Sequence, residues 1–288
     1  MKYRLLQWLA CPRCGNPDLT LETRETERKT IPAGAYTAEE GNLPGIDLDE
    51  GVETEVREGA LHCGSCSAIY PVVEGVPRMR RVGAKNPERG SPHRWTTFDS
   101  GAPAWQENFL DYASPLEQGD FVGKLVLDAG CGYGRHAFFA GRYGAEVVAF
   151  DGSPDAIAAA AENTKDLQRI HLVEGSVEAP PFREGVFDLA YCFGVLHHIA
   201  EPAPAFRVLG RTVRSGGRFS IWVYGPRQGV ALHLANSVRG LTSGLRPDQL
   251  HNLSRVIASG LRAFSHTPYR LLGRLPVAKA VVSRLPVH

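Results

Sequence analysis

Four cysteines stand in two matched pairs, Cys11-Pro-Arg-Cys14 and Cys63-Gly-Ser-Cys66. Each Cys-x-x-Cys turn presents two thiolates on one side, and two such turns complete the tetrahedral four-cysteine shell that Zn2+ prefers. A closed shell leaves no open position for a substrate, so the expected metal is structural, with Cys11, Cys14, Cys63 and Cys66 as its ligands. Disulfides and a redox Cys-x-x-Cys are the competing readings, and a reducing compartment disfavours the first. Gly15 and Gly64 sit where such knuckle turns favour a positive φ. A second group lies farther along the chain. Leu125–Asp128 is an apolar run closed by an acid, and it leads into Gly130-Cys131-Gly132-Tyr133-Gly134. Glycines there permit a tight turn and let a ligand lie against bare backbone, just ahead of a helix N-terminus.

The neighbours of the loop narrow what it holds. A dinucleotide fingerprint needs glycine where this chain has Arg135, and no Gly-Lys-Ser/Thr follows, which excludes a triphosphate-binding loop. Asp128 would repel a pyrophosphate but suits the ammonium and sulfonium of S-adenosylmethionine. Asp151 closes the next apolar run, where a carboxylate can accept hydrogen bonds from both hydroxyls of a ribose. The plainer alternative is that Asp151 only caps the helix that follows.

A frame for these groups is legible in the alternation of strand and helix from residue 121 onward. Strands are expected at Leu125–Asp128, Glu146–Asp151, Ile170–Glu174, Phe187–Phe193 and Phe219–Tyr224, the last after a turn at Ser215-Gly216-Gly217. Helices are expected at 133–143, from the Ser153-Pro154 cap onward, and at 203–213. Short apolar strands alternating with helices imply a Rossmann-like, doubly wound α/β fold with a mostly parallel sheet. Ahead of it, residues 1–82 read as a small zinc ribbon with short strands at Leu19–Leu21 and Ala68–Val72. An acidic insertion at 22–58, rich in Gly, Pro, Glu and Thr, reads as mobile or partly ordered. Residues 83–120 read as a linker (83–92) and an aromatic arm carrying Trp95, Phe98, Trp105, Phe109 and Tyr112, with helical spacing over 105–112. The core domain is expected at 121–226 and a basic helical segment at 227–288.

The net charge of +1 hides an asymmetry. Residues 20–59 hold eleven acids against four bases, and residues 227–288 hold nine Arg or Lys against one Asp. The two ends are expected to attract each other, or the basic end to meet an anionic partner; the plainer alternative is two solvated faces. No apolar run reaches the roughly 18 residues needed to span a bilayer, and Cys11-Pro12 interrupts the opening Leu-rich stretch before a signal-peptide core can form. A cytoplasmic location is the expectation, and nothing in the sequence speaks to oligomeric state.

With these residues in place, the chain resembles class I S-adenosylmethionine-dependent methyltransferases of the type-11 kind. The resemblance is carried by Val126–Arg135, Val148-Ala-Phe-Asp-Gly-Ser-Pro154, Phe187–His198 and Gly216-Gly-Arg-Phe219. It implies an enzyme whose cofactor is S-adenosylmethionine, with the methionine end at Asp128, Ala129, Gly130, Cys131, Gly132 and Gly134. It places the ribose at Asp151 and Gly152, the adenine at Ser176 and Val177, and Phe193 among the cofactor-binding residues. Ser176 stands where the family usually carries an acid for the adenine amino group, with Glu178 as a substitute. The family sheet also ends in a sixth and a seventh strand. After Tyr224 the sequence reads as helical or irregular (230–241, 247–264, 268–285), so either the chain stops short of those strands or a helical insertion precedes them. The ribbon is similar to the N-terminal module of some bacterial ribosomal RNA guanine methyltransferases and to small zinc-ribbon partners that activate other methyltransferases.

Methyl transfer mainly requires alignment of the acceptor, and a base only when the acceptor is weakly acidic. His197 and His198, at the end of the fourth strand, are the candidate bases; the alternative is packing at a helix start. No Asn-Pro-Pro-Tyr-type clamp follows that strand, which disfavours adenine-N6 or glutamine methylation. The methyl acceptor is expected to be a small molecule, because the ribbon half is acidic. RNA recognised through the ribbon is the alternative, and a non-catalytic scaffold that binds cofactor or partner is the second. His93, His136 and His171 read as structural or surface residues, and Cys131 and Cys192 as buried packing.

Overall fold

The computed structural model describes residues 1–32, 34–80, 103–223, 225, 237–238, 240 and 242–261. Residues 1–225 form one compact unit and residues 226–288 a second. The expected linker with Trp95 and Phe98, His93, and the segment 268–285 lie outside the described residues, as does most of 230–241.

The N-terminal module is an antiparallel sheet of β1 (Leu19–Thr30), β2 (Ile46–Asp47), β3 (Val52–Cys63), β4 (Ile69–Val73) and β5 (Val76–Pro77). Its order is β1-β3-β4-β5, with β2 also on β3. About half of the insertion at 22–58, expected to be mobile or partly ordered, is strand. β1 and β3 are twelve residues each and pair from Leu19↔Cys63 to Thr30↔Val52. Opposite charges across and around the ladder, Lys29 on Glu55 at 2.8 Å and Arg28 on Glu50, turn a self-repelling composition into paired strands. Composition alone shows the excess of acids but not the cations that meet them.

The second half follows the expected alternation. Helix α1 (Pro103–Ala113) leads into β6 (Leu125–Ala129), α2 (Arg135–Arg142), β7 (Glu146–Asp151), α3 (Pro154–Thr164) and β8 (Ile170–Glu174). Then come β9 (Phe187–Phe193), α4 (Pro202–Thr212) and β10 (Val213–Trp222). The sheet is parallel with order β10-β9-β6-β7-β8. The predicted turn at Ser215-Gly216-Gly217 sits inside β10 as a bulge, where pairing jumps from Val213↔Phe187 to Arg218↔Leu189. Among the described residues no strand follows Trp222.

Each face of this sheet buries its own core. On one, Val126, Val147, Ala149, Leu189 and Tyr191 pack against α1, α2 and α3 through Phe109, Phe139, Ala140 and Ile157. On the other, Leu127, Val148, Phe150 and Ala190 meet Leu209 of α4, but also Leu5, Leu9 and Val56 of the N-terminal module. The connection between β8 and β9 carries no helix. The module covers that stretch instead: Ala10 N–H donates to the Pro181 carbonyl at 2.9 Å and Arg183 N–H to that of Trp8 at 2.9 Å. Arg78 bridges to Glu174 in parallel, and Met79 N–H donates to the Glu174 carbonyl at 2.7 Å, so the module also runs along the free edge of β8. At the opposite end of these strands Arg4 reaches Glu146 at 2.7 Å and Glu40 at 3.2 Å. Arg169 holds Glu40 at 2.9 Å and Glu146 at 3.4 Å, and Lys2 holds Glu53 and Glu55. Acids of the stretch expected to seek the basic C-terminal end are therefore met locally.

Candidate functional site

The four predicted metal ligands converge. All four sulfur atoms of Cys11, Cys14, Cys63 and Cys66 lie within 4.8 Å of one another. Sγ of Cys11 is 3.6 Å from that of Cys66, and Sγ of Cys14 is 3.6 Å from that of Cys63. Four Zn–S bonds of about 2.3 Å in a tetrahedron would set sulfurs about 3.8 Å apart, whereas a disulfide needs about 2.05 Å. The donor set and spacing fit zinc and exclude disulfides. Burial pushes the Cys63 thiol up, but N–H groups of Cys66 and Ser65 directed at its sulfur outweigh that and hold it at about 6, which favours a thiolate ligand. Gly15 adopts φ +77° as the first knuckle requires. Gly64 does not have a positive φ; in the second knuckle Ser67 takes it, at +55°.

The glycine loop joins β6 to α2. N–H groups of Gly130 and Cys131 donate to the Phe150 carbonyl at 2.8 and 3.0 Å, which pins the loop against β7. Gly130 has φ +80°, and a Cβ there would stand 2.4 Å from Cγ2 of Val195. Gly134 also has φ +80°, and its Cβ would stand 3.0 Å from Cβ of Ala160 on α3. Both positions exclude side chains for reasons of backbone and space.

Two carboxylates flank this loop. Asp128, near the end of β6, is 1% exposed and is the register partner of Tyr191 on β9. One oxygen of Asp128 and the Tyr191 hydroxyl are both buried without a hydrogen-bond partner of ordinary geometry. Burial pushes the Asp128 carboxyl up to about 8, although the nearby Tyr191 phenol favours its anion; the charge of Asp151 raises it further. Asp151, ending β7, accepts from Gly132 N–H at 3.0 Å and from Ser153 N–H at 2.8 Å. Burial raises its pKa against the pull of those N–H groups. The helix cap itself is Ser153, whose hydroxyl accepts from Ala156 N–H at 3.3 Å, so capping alone does not account for Asp151.

The remaining predicted residues gather at the same ends of the strands. Ala129 and Cys131 are buried, and Gly152 follows Asp151. After β8, Ser176 Oγ accepts the N–H of Glu178 at 3.2 Å and Val177 is buried, while Glu178 points to solvent. Phe193 ends β9 and stacks on the ring of Tyr191 at 4.8 Å. His197 and His198 sit on a 3-10 turn, Leu196–His198, with ring centroids 4.1 Å apart. Val195, which begins that turn, is the residue that fills the space left by Gly130.

Sequence reasoning missed three features. Tyr191 is one, although a phenol at the strand position beside Asp128 is a signal in an otherwise apolar run. A wall of rings is the second: Tyr112 of α1 lies 4.5 Å from Trp222 of β10 and 5.7 Å from His136 of α2, which is 5.5 Å from Phe193. Burial and the charge of Arg135 lower the His136 pKa to about 3, so this ring is neutral. The third is Glu174, buried at the end of β8 with Arg78 at 3.8 Å and Arg80 at 4.0 Å.

Two stretches of the chain match known families. Residues 127–221 match the family described as methyltransferase domain, and residues 2–75 match that described as Trm112p-like protein. Residues 127–221 are thus similar to a methyltransferase domain, and this stretch contains Asp128, the glycine loop, Asp151 and both candidate histidines; the stretch similar to Trm112p-like protein contains all four cysteines. The ubiquinone biosynthesis O-methyltransferase of Sodalis glossinidius is 29% identical over 156 residues, covering 46% of this chain and 59% of the relative. That of Albidiferax ferrireducens is 35% identical over 141 residues, covering 46% of this chain and 52% of the relative. The chain thus spans little more than half the length of these curated relatives. The solved structure of an S-adenosylmethionine-dependent methyltransferase from Mesorhizobium loti aligns at a TM-score of 0.34 with 26% identity, over 43% of this chain and 53% of that one.

Proposed function

We propose that this chain is an S-adenosylmethionine-dependent methyltransferase acting on a small-molecule acceptor, with a structural zinc in the N-terminal module. The observation that carries the reading is the pair of carboxylates, Asp128 buried and Asp151 half-buried, on either side of a loop in which Gly130 and Gly134 leave no room for a side chain. The charge of Asp151 disfavours the anion of Asp128; a cationic ligand relieves that repulsion, and a pyrophosphate makes it worse.

When bound, the cofactor supplies a methyl group on a sulfonium, a good leaving group. The protein's own part is binding and alignment. Asp128, with Tyr191 beside it, receives the ammonium of the methionine end; the backbone of Gly130–Gly134 lies against that end. Asp151 accepts from the ribose hydroxyls, Ser176 and Val177 border the adenine, and Phe193 lies toward the methionine end beside Tyr191. Tyr112, His136 and Trp222 wall the side from which an acceptor enters and exclude water there. His197, whose pKa burial and the neighbouring His198 lower, is neutral near pH 7 and available to take a proton from an acceptor hydroxyl. The closed four-cysteine shell takes no part in the chemistry.

A small acceptor is favoured by the names of the relatives, ubiquinone biosynthesis O-methyltransferases, and by the acidic surface of the module, which lacks the basic stripe RNA would need. Calorimetry with S-adenosylmethionine, followed by transfer of labelled methyl to a small-molecule extract and to total RNA, tests the reading. Binding with labelling of the extract is the expected result. No binding of the cofactor, with Asp151→Ala indistinguishable from the natural protein, would overturn the assignment; labelling of RNA alone would overturn the acceptor class.

A further inference from the structure

The second compact unit bears a helix, α5 (Pro247–Leu261). Leu250, Leu253 and Ile257 are spaced i, i+3, i+7 and therefore share one face, with Val256 beside them. All four are exposed, Leu250 at 43%, Leu253 at 37%, Val256 at 70% and Ile257 at 47%. Arg255 and Asn252 fall on the opposite face by the same spacing. A helix of 15 residues is about 22 Å long, too short for a hydrocarbon core of about 30 Å. Among the described residues no helix is long and apolar enough to cross a membrane. The charge around this helix is one-sided: residues 227–288 hold nine Arg or Lys against Asp248 alone.

We propose that α5 docks on an anionic lipid surface, lying in the plane of the interface with its Leu250–Leu253–Val256–Ile257 face toward the acyl chains. An aliphatic stripe on a helix within a strongly basic segment matches the two things such a surface offers, an apolar boundary and negative headgroups. Nucleic acid offers only the charge. It has no use for four exposed aliphatic side chains, and this helix carries no Phe, Tyr or Trp on which a base would stack. The rest of the segment continues the pattern in sequence: Arg262, Arg270, Arg274, Lys279 and Arg284 alternate with Phe264, Leu271, Leu272, Leu275 and Val281. This inference is independent of the methyltransferase reading.

Flotation of the full chain with vesicles tests it. One set is phosphatidylcholine and the other phosphatidylcholine with about one-third phosphatidylglycerol. Each basic side chain close to an anionic surface strengthens attachment by about fivefold, so a preference of tenfold or more for the anionic vesicles is expected, falling with added salt. The double variant Val256→Asp/Ile257→Asp should lose at least tenfold in binding while its melting temperature and cysteine-bound zinc stay unchanged. Equal partition between the two vesicles, or full retention of binding in the double variant, refutes the proposal. Salt-sensitive capture of RNA that the double variant leaves intact, without vesicle binding, assigns the segment to nucleic acid and also refutes it.

Discussion

Cofactor affinity should rise steeply with pH through neutrality, because Asp128 must give up a proton to receive a cation. Burial holds its carboxyl up at about 8. If only the ionised form binds, apparent affinity scales with its fraction, which is about 1% at pH 6 and half at pH 8, a change of about 50-fold. Asp151, Arg135, Tyr191, Cys131 and Cys192 surround the group, and His136, beside Tyr191 and at about 3, stays neutral across this window. Asp128→Asn should bind weakly at every pH and show no slope. Stability moves the other way. The folded-state pKa lies above the ordinary value of 3.8, so stability attributable to this group falls as pH rises from about 4 to 8. At pH 7 the cost is of order 4 kcal/mol, and Asp128→Asn should raise the melting temperature of the ligand-free protein at pH 7 but not at pH 4. Calorimetry in two buffers of different ionisation enthalpy counts the protons released on binding, near one at pH 7. Flat affinity between pH 6 and 8, or an Asn variant less stable than the parent at pH 7, would refute the reasoning.

Further outcomes test the frame around that site. Gly130→Ala places a Cβ 2.4 Å from Val195 at φ +80°, so cofactor titration should show a loss of affinity of tenfold or more. Cys63→Ser removes one of four ligands; elemental analysis should find less than a tenth of the parent's zinc, and thermal melting should show early unfolding of the N-terminal module. Arg4→Ala strips Glu146 and Glu40 of one partner in a buried network, and urea denaturation should register a loss of about 3 kcal/mol. Burial works against Glu40 and Glu55, but Arg169 and Lys2 outweigh it and hold both at about 2. Their contribution is therefore present above about pH 4.5 and lost as pH falls toward 2, an acid transition that circular dichroism can follow.

The parallel sheet was legible because its signals are local. Apolar runs that end in Asp128 and Asp151, a Ser-Pro helix cap and glycines at a turn each point to one element within a few residues of chain. Both metal pairs were legible for the same reason. The ladder of β1 and β3 was not, since Lys29 and Glu55 stabilise it from positions 26 residues apart. Nor was the role of Glu40 and Glu146, which take their meaning from Arg4 and Arg169 across the fold. Tyr191 is an intermediate case: its residue type was visible, but only the register of β9 on β6 brings its hydroxyl to Asp128. Gly64 shows the limit of pattern matching, because the second knuckle shifts its left-handed residue to Ser67.

The strand-like run of Arg78 and Met79 along β8 has a consequence for how the molecule is assembled. An open sheet edge beside a half-covered apolar face is a surface that must find a cover. A separate covering subunit would be found at its cellular concentration, with a bound fraction that changes with expression. Here the cover is on the same chain, where a short connection keeps an effective concentration in the millimolar range. Occupancy of the edge is then a property of the fold and does not depend on dilution. A chain split between Met79 and Pro103 should reveal this: its two pieces would associate in a concentration-dependent way, and the domain alone would expose β8 to pairing with other copies of itself.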